Sequence, residues 1–131
     1  MIKEQSYLQK QDLIDHAKNP RNYGLSEKFD FISSEYNPSC GDMVVIAGRL
    51  QDDILLEIRF EGKGCVLSLA MASKLTEYLK GKSIAQTKVL DKDLVTCLLG
   101  LELGLNRLQC GMLSIKALQK AMLFCQSSSK N

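Results

Sequence analysis

The chain has no apolar run near the 18 or so residues that a membrane-spanning helix needs, and no excess of one charge. Its 17 basic residues are balanced by 15 acidic ones, for a net charge of +2. That gives no electrostatic footing for nucleic acid, so neither a membrane nor a nucleic-acid partner is expected. There is one histidine, His16, and no Ser-His-Asp arrangement is recognisable. No Cys-x-x-Cys occurs, which argues against a thioredoxin-like redox pair and a zinc ribbon. Gly62-Lys63-Gly64 lacks the spacing of a phosphate-binding loop and its following Ser or Thr. Lys63 reads instead as a positive charge beside an anionic thiolate site. The first residues, Met1-Ile2-Lys3-Glu4-Gln5, are polar and carry an early acid, unlike a signal or transit peptide. A cytoplasmic location, with reduced thiols, is the expectation.

What the chain does have is cysteine beside glycine. Its 131 residues are enough for one domain with one hydrophobic core. Five cysteines make an odd number at irregular spacing, which disfavours a disulfide framework and favours metal or catalytic use.

The periodicity predicts an α+β domain over 1–131. Ser6-Tyr7-Leu8-Gln9 reads as a capping box opening a helix through Ala17, stopped by Asn19-Pro20. Phe29–Tyr36 and Met43–Leu50 read as strands. After the turn Gln51-Asp52-Asp53, Ile54, Leu56, Ile58 and Phe60 alternate with Leu55, Glu57, Arg59 and Glu61 in a third, half-buried strand. From Leu67 the period becomes helical, with Met71, Leu75 and Tyr78, up to Gly81. Ser83-Ile84-Ala85-Gln86 is a second capping box. Asp91 caps a helix with Leu94, Cys97, Leu98 and Leu101 on one stripe. A last helix begins near Cys110 and carries Ile115, Leu118, Met122 and Cys125. Residues 127–131 read as a frayed tail. Strands first and helices after imply helices packed on one face of a small antiparallel sheet.

Cys97 and Cys125 lie on apolar stripes and read as small buried hydrophobes. His16, beside Asp15, reads as a surface or capping residue. Cys40, Cys65 and Cys110 fit neither role. Cys40 and Asp42 bracket Gly41 just before a strand, so a thiolate and a carboxylate can converge. Cys65 and Cys110 fall at predicted helix starts, where free N–H groups favour the thiolate, the nucleophilic and metal-binding form. The bland reading is three unrelated turn cysteines. Glycine beside each, plus Cys-Gly-Asp, favours a shared site: three thiols and a carboxylate suit a thiophilic metal, and the same thiols could carry sulfur.

Four ordered blocks then resemble a known family. They are Asp15-His16-Ala17-Lys18-Asn19-Pro20-Arg21-Asn22-Tyr23-Gly24, Asn37-Pro38-Ser39-Cys40-Gly41-Asp42, Phe60-Glu61-Gly62-Lys63-Gly64-Cys65 and Cys110-Gly111-Met112-Leu113. Together they look like the U-type iron–sulfur cluster assembly proteins, the SufU and IscU families related to the N-terminal domain of NifU. The resemblance runs from about Tyr7 to Phe124. It implies a three-stranded antiparallel sheet with helices beside it. It also implies zinc or an iron–sulfur cluster on Cys40, Asp42, Cys65 and Cys110. The implied partners are a pyridoxal-phosphate cysteine desulfurase of the SufS or IscS type and downstream apo iron–sulfur proteins. Cys110 would accept persulfide sulfur in IscU-like chemistry, Cys40 in SufU-like chemistry.

Two features depart from the IscU pattern. IscU proteins usually carry histidine before the last cysteine, where this chain has Gln109, a poor ligand beside imidazole. Their Leu-Pro-Pro-Val-Lys chaperone segment is replaced by Leu103-Gly104-Leu105-Asn106-Arg107. The extra segment of SufU proteins before that cysteine is absent too, so the chain is SufU-like at its ligands and IscU-like in length. The resemblance implies a scaffold or sulfur acceptor more than a stand-alone enzyme, with Asp42 as the labile ligand. The rivals are zinc-dependent sulfur transfer without a cluster, a structural-zinc interaction module, and a thiol redox protein.

Overall fold

The computed structural model describes residues 2–129, with side chains described from Leu8 to Cys125. The chain runs α1 (Ile2–Lys18), β1 (Phe31–Tyr36), β2 (Met43–Gln51), β3 (Ile54–Lys63), α2 (Val66–Leu79), α3 (Ile84–Thr87), α4 (Lys92–Leu99) and α5 (Leu105–Ser129). The three strands form one antiparallel sheet in the order β1-β2-β3. Helices α2 and α5 pack on one face of it. This is the α+β architecture expected from strands followed by helices.

The hairpin between β2 and β3 turns on Asp52 and Asp53, both at positive φ (53° and 65°). Aspartate tolerates that conformation because its short carboxylate can bond its own backbone. Beyond the turn the pairing slips: Arg49 faces Glu57 while Leu50 faces Leu55, so Leu56 bulges out. The slip changes the phase of the strand. Leu55, Ile58 and Phe60 are buried, whereas Ile54 and Leu56 are exposed. The simple alternation Ile54, Leu56, Ile58, Phe60 is therefore corrected in its first half. Leu55 and Leu56 are both apolar, so their order along the chain carries no sign of which one turns inward.

The core joins the inner face of the sheet to the helices. Val44, Ile46, Leu55 and Phe60 meet Met71, Leu75 and Leu79 of α2 and Ile115, Leu118 and Met122 of α5. Fully burying a side chain of this size is worth about 1.5–3 kcal/mol. The outer edge of β3 is covered by the segment after α1. There Tyr23 bridges to Phe60, Gly24 N–H donates to the Phe60 carbonyl (2.8 Å), and the Arg59 guanidinium donates to the carbonyls of Tyr23 and Gly24.

Both later helix starts follow the sequence. Ser83 and Gln86 form a reciprocal capping box at α3, and the Asp91 carboxylate accepts from Asp93 N–H (2.9 Å) at α4. Gly81 at φ 87° ends the segment after α2. Several expectations change. Helix α1 runs straight through Ser6, so that residue does not cap it. Strand β1 starts at Phe31, two residues late. Tyr78 is partly exposed, and Leu79 takes its inward place. On α4 the buried positions are Val95 and Leu99, which leaves Cys97 exposed rather than buried. Cys125 is half-buried against the core. Helix α5 begins at Leu105, five residues before Cys110, and runs through Ser129; residues 130–131 of the expected tail lie outside the described ones. No helix among the described residues is long and apolar enough to cross a membrane.

Candidate metal and sulfur site

The site forms where three elements meet: the β1–β2 loop, the start of α2, and the second turn of α5. The loop is built by its asparagine. Asn37 is buried; its side-chain oxygen accepts from Ser39 N–H (3.0 Å), and its carbonyl accepts from Gly41 N–H (2.8 Å) and Cys40 N–H (3.3 Å). Asn37 N–H closes the turn on the Asp42 carbonyl (2.8 Å). Gly41 sits at φ 78°, a conformation that costs a residue with a Cβ. The result is a tight turn that holds Cys40 at the surface and points Asp42 inward, 4% exposed.

Helix α2 supplies the next side. Cys65 is its N-cap residue, as the sequence predicts, and it makes no side-chain cap bond. Its backbone N–H donates to Asp42 Oδ2 (3.3 Å). Three residues on, the Ser68 hydroxyl donates to the same oxygen at 2.6 Å. Gly64 permits this approach. A Cβ there would lie 2.4 Å from the Asp42 carboxyl carbon.

Helix α5 brings Cys110 over the carboxylate. Its Sγ is 3.8 Å from Cys40 Sγ. Cys40, Asp42 and Cys110 offer ligand atoms that all lie within 4.8 Å of one another, the only such group among the described residues. Cys65 stands at the rim, its Sγ 3.6 Å from Ser68 Oγ. So the fold brings Cys40, Asp42 and Cys110 within ligand reach of one another, with Cys65 beside them through its backbone bond to Asp42. Lys63 is exposed at the end of β3.

The local electrostatics differ from the sequence expectation at one residue. Cys110 is not at a helix start, and no free N–H groups or helix dipole favour its thiolate. Burial, the Cys40 thiol beside it and the Cys65 sulfur together push its thiol up to about 12. Asp42 goes the other way. Burial alone would raise its carboxyl, but the hydrogen bonds from Ser68, from the Cys65 side chain and backbone, and from Cys40 outweigh it and hold the carboxyl below its usual value. A preformed carboxylate beside three thiols, one of them reluctant to ionise, is an arrangement short of positive charge. A divalent ion supplies that charge and lowers the thiols it binds. The geometry fits zinc. Two sulfurs about 2.3 Å from a tetrahedral ion stand about 3.8 Å apart, which is the Cys40–Cys110 separation found here.

His16 is not a surface residue. It is buried, 6% exposed, with Nδ1 2.7 Å from Ser73 Oγ on α2. Asp12 and Glu77 face Nε2 at 3.8 and 3.9 Å. It belongs to a separate cluster and not to the thiol group. Ser68 was missed from the sequence. Its signal was a serine on the inward face of an otherwise apolar helix turn, three residues after an N-cap cysteine.

The comparisons with known proteins agree with this geometry. The family model described as the NifU-like N-terminal domain matches residues 8–130. The iron–sulfur cluster assembly scaffold protein IscU 1 of Archaeoglobus fulgidus is 34% identical over 111 residues, covering 85% of this chain and 72% of that protein. The zinc-dependent sulfurtransferase SufU of Bacillus subtilis is 34% identical, covering 88% of this chain and 89% of that one. Among solved structures, a candidate iron–sulfur cluster assembly scaffold protein for the SUF system of Fervidobacterium islandicum AW-1 superposes with a TM-score of 0.72. It is 25% identical and covers 86% of this chain and 94% of that one. With its fold, its thiol–carboxylate site and these relatives in agreement, the chain belongs to the NifU-like N-terminal domain family.

Proposed function

We propose that this protein accepts sulfur from a cysteine desulfurase for iron–sulfur cluster assembly, using Cys40, Asp42, Cys65 and Cys110 as one metal or cluster site. The observation that carries this reading is the convergence of the Cys40 and Cys110 thiols on the Asp42 carboxylate. Zinc bound there would keep the thiols ionised and the three chain segments together.

Cys40 is the sulfur acceptor in this reading. It is exposed, on a tight turn held by Asn37, whereas Cys110 is buried with its thiol pushed up to about 12. The Cys40 thiolate attacks the terminal sulfur of the desulfurase persulfide. A new S–S bond forms on Cys40, the old one breaks, and the desulfurase thiolate leaves. The sulfane sulfur then passes on by the same exchange, or, once reduced to sulfide by two electrons from an external thiol or electron-transfer protein that leaves the Cys40 thiolate behind, joins iron delivered as substrate to the same thiols. Asp42 is the ligand that yields, since carboxylate holds a soft ion less firmly than thiolate.

A second reading is zinc-dependent sulfur transfer without cluster assembly. It is favoured by Gln109, which stands exposed on α5 immediately before Cys110 where an imidazole would offer a further ligand.

The test is alanine formation by a cysteine desulfurase, measured with the zinc-loaded protein and no iron present. Strong stimulation, lost in Cys40→Ala, is expected. No stimulation by the zinc-loaded wild type would overturn the sulfur-acceptor role. If stimulation occurs but added iron and sulfide never yield a cluster, the second reading replaces the first.

A further inference from the structure

Ser68 is buried, 1% exposed, on the first turn of α2. Its hydroxyl has three neighbours: Asp42 Oδ2 at 2.6 Å, the Cys110 carbonyl at 3.4 Å and Cys65 Sγ at 3.6 Å. A hydroxyl has one proton to give. The shortest contact has the length of a charge-assisted O–H···O⁻ bond, so the proton goes to Asp42. The same oxygen also accepts the Cys65 N–H at 3.3 Å. Oδ2 is therefore held by two donors from one turn of helix, while Gly64 leaves the room in which the carboxyl group sits.

From this geometry we propose that Ser68 is a positioning residue for the metal site. It occupies one oxygen of Asp42, so that the carboxylate presents a single oxygen, Oδ1, to the ion. The inference rests on the metal-site reading above and adds to it the group that sets the carboxylate's orientation. It also links the three segments. Ser68 touches the residue from the β1–β2 loop, the cysteine that opens α2 and the backbone of the cysteine on α5. A carboxylate free of this hold could turn, bind through both oxygens or swing off the ion. Held through Oδ2, it is a one-bond ligand, the kind that leaves most readily when another ligand arrives.

The experiment uses the full chain loaded with zinc or cobalt(II). Affinity is read by competition with a chromophoric chelator, and the donor set by the cobalt d–d bands. Ser68→Ala is expected to weaken zinc by about tenfold or more, the usual cost of losing an outer partner of a ligand, and to shift the cobalt bands. In an Asp42→Ala background the same change should cost nothing further, because Ser68 acts through Asp42. Ser68→Thr and Ser68→Val share one shape, with and without the hydroxyl. Thr should keep the wild-type affinity and bands, and Val should behave as Ala does. This pair decides the point if Ser68→Ala does not fold. Equal affinities for Thr and Val, or the same loss from Ser68→Ala with and without Asp42, would overturn the positioning role. A wild type that binds no zinc would overturn the metal site itself, and the role of Ser68 with it.

Discussion

Helix α2 carries two buried serines, Ser68 and Ser73, and each anchors a cluster of titratable groups. The cluster at Ser73 is closed. Ser73 Oγ accepts the Arg21 N–H (2.9 Å) and bonds His16 Nδ1, while the carboxylates around Nε2 favour a proton on that nitrogen. Lys74 pairs with Asp12, and Arg21 with Asp15 (2.6 Å). Charges of both signs answer one another, and the product is an anchor of α1 and the segment after it onto α2. The cluster at Ser68 is open. It gathers a carboxylate and three sulfurs, and among the described residues no ion pair answers that carboxylate. The same residue type on the same helix thus serves a structural joint at one place and a binding site at the other. What differs is whether the neighbours satisfy one another.

That contrast can be broken most strongly at the thiols. Cys110→Ser should weaken zinc by more than the roughly 10–100-fold that an outer partner costs, since it removes a thiolate itself. The fold should remain, because a hydroxyl replaces a thiol of similar size; chelator competition and circular dichroism read the two effects.

His16→Ala should do the reverse. It empties a buried position and strips Ser73 of a partner, at a cost of about 2–4 kcal/mol in unfolding free energy. Zinc affinity should not move. Denaturant titration of the zinc-free chain checks the first statement, and a fall in zinc affinity would show that the two clusters are coupled.

The pH dependence sharpens the same point. Burial, then the nearby Arg21 and Lys74 charges, depress the His16 imidazole below its ordinary value, against the pull of Asp12 and Glu77. The unfolded chain therefore binds a proton near pH 6.5 that the folded chain refuses. The stability from neutral His16 is complete above that pH and is lost as the pH falls below it. In His16→Gln this part of the slope should vanish. The smallest effect is expected at Cys97→Ala. An exposed thiol on α4 should change stability by no more than about 0.5 kcal/mol and leave desulfurase stimulation intact.

These residues also mark how far the sequence could be read. The hairpin, both later capping sites and the convergence of Cys40, Asp42 and Cys110 were legible because each rests on local chemistry: turn aspartates, Ser83 with Gln86, glycine beside cysteine. The bulge at Leu56 was not, since either of two adjacent leucines could face inward and only the pairing with β2 decides. The start of α5 was hidden because Leu105-Asn106-Arg107-Leu108 carries no capping pattern. With it went the correct environment of Cys110, a helix interior rather than a helix start. His16 and Ser68 were missed for a shared reason. Their partners lie 57 and 26 residues away, and only the packing of α2 against α1 and the β1–β2 loop brings them together. Cys97 was misread because α4 is short, and Val95 and Leu99 satisfy its inward face without it.

The central claim is that one ion is shared by three sulfurs and one carboxylate oxygen. X-ray absorption at the zinc edge of the loaded wild type tests it directly. The account predicts three sulfurs at about 2.3 Å and one oxygen at about 2.0–2.2 Å, with the oxygen lost in Asp42→Ala. A shell of two sulfurs, unchanged when Cys65 is replaced by serine, would contradict it.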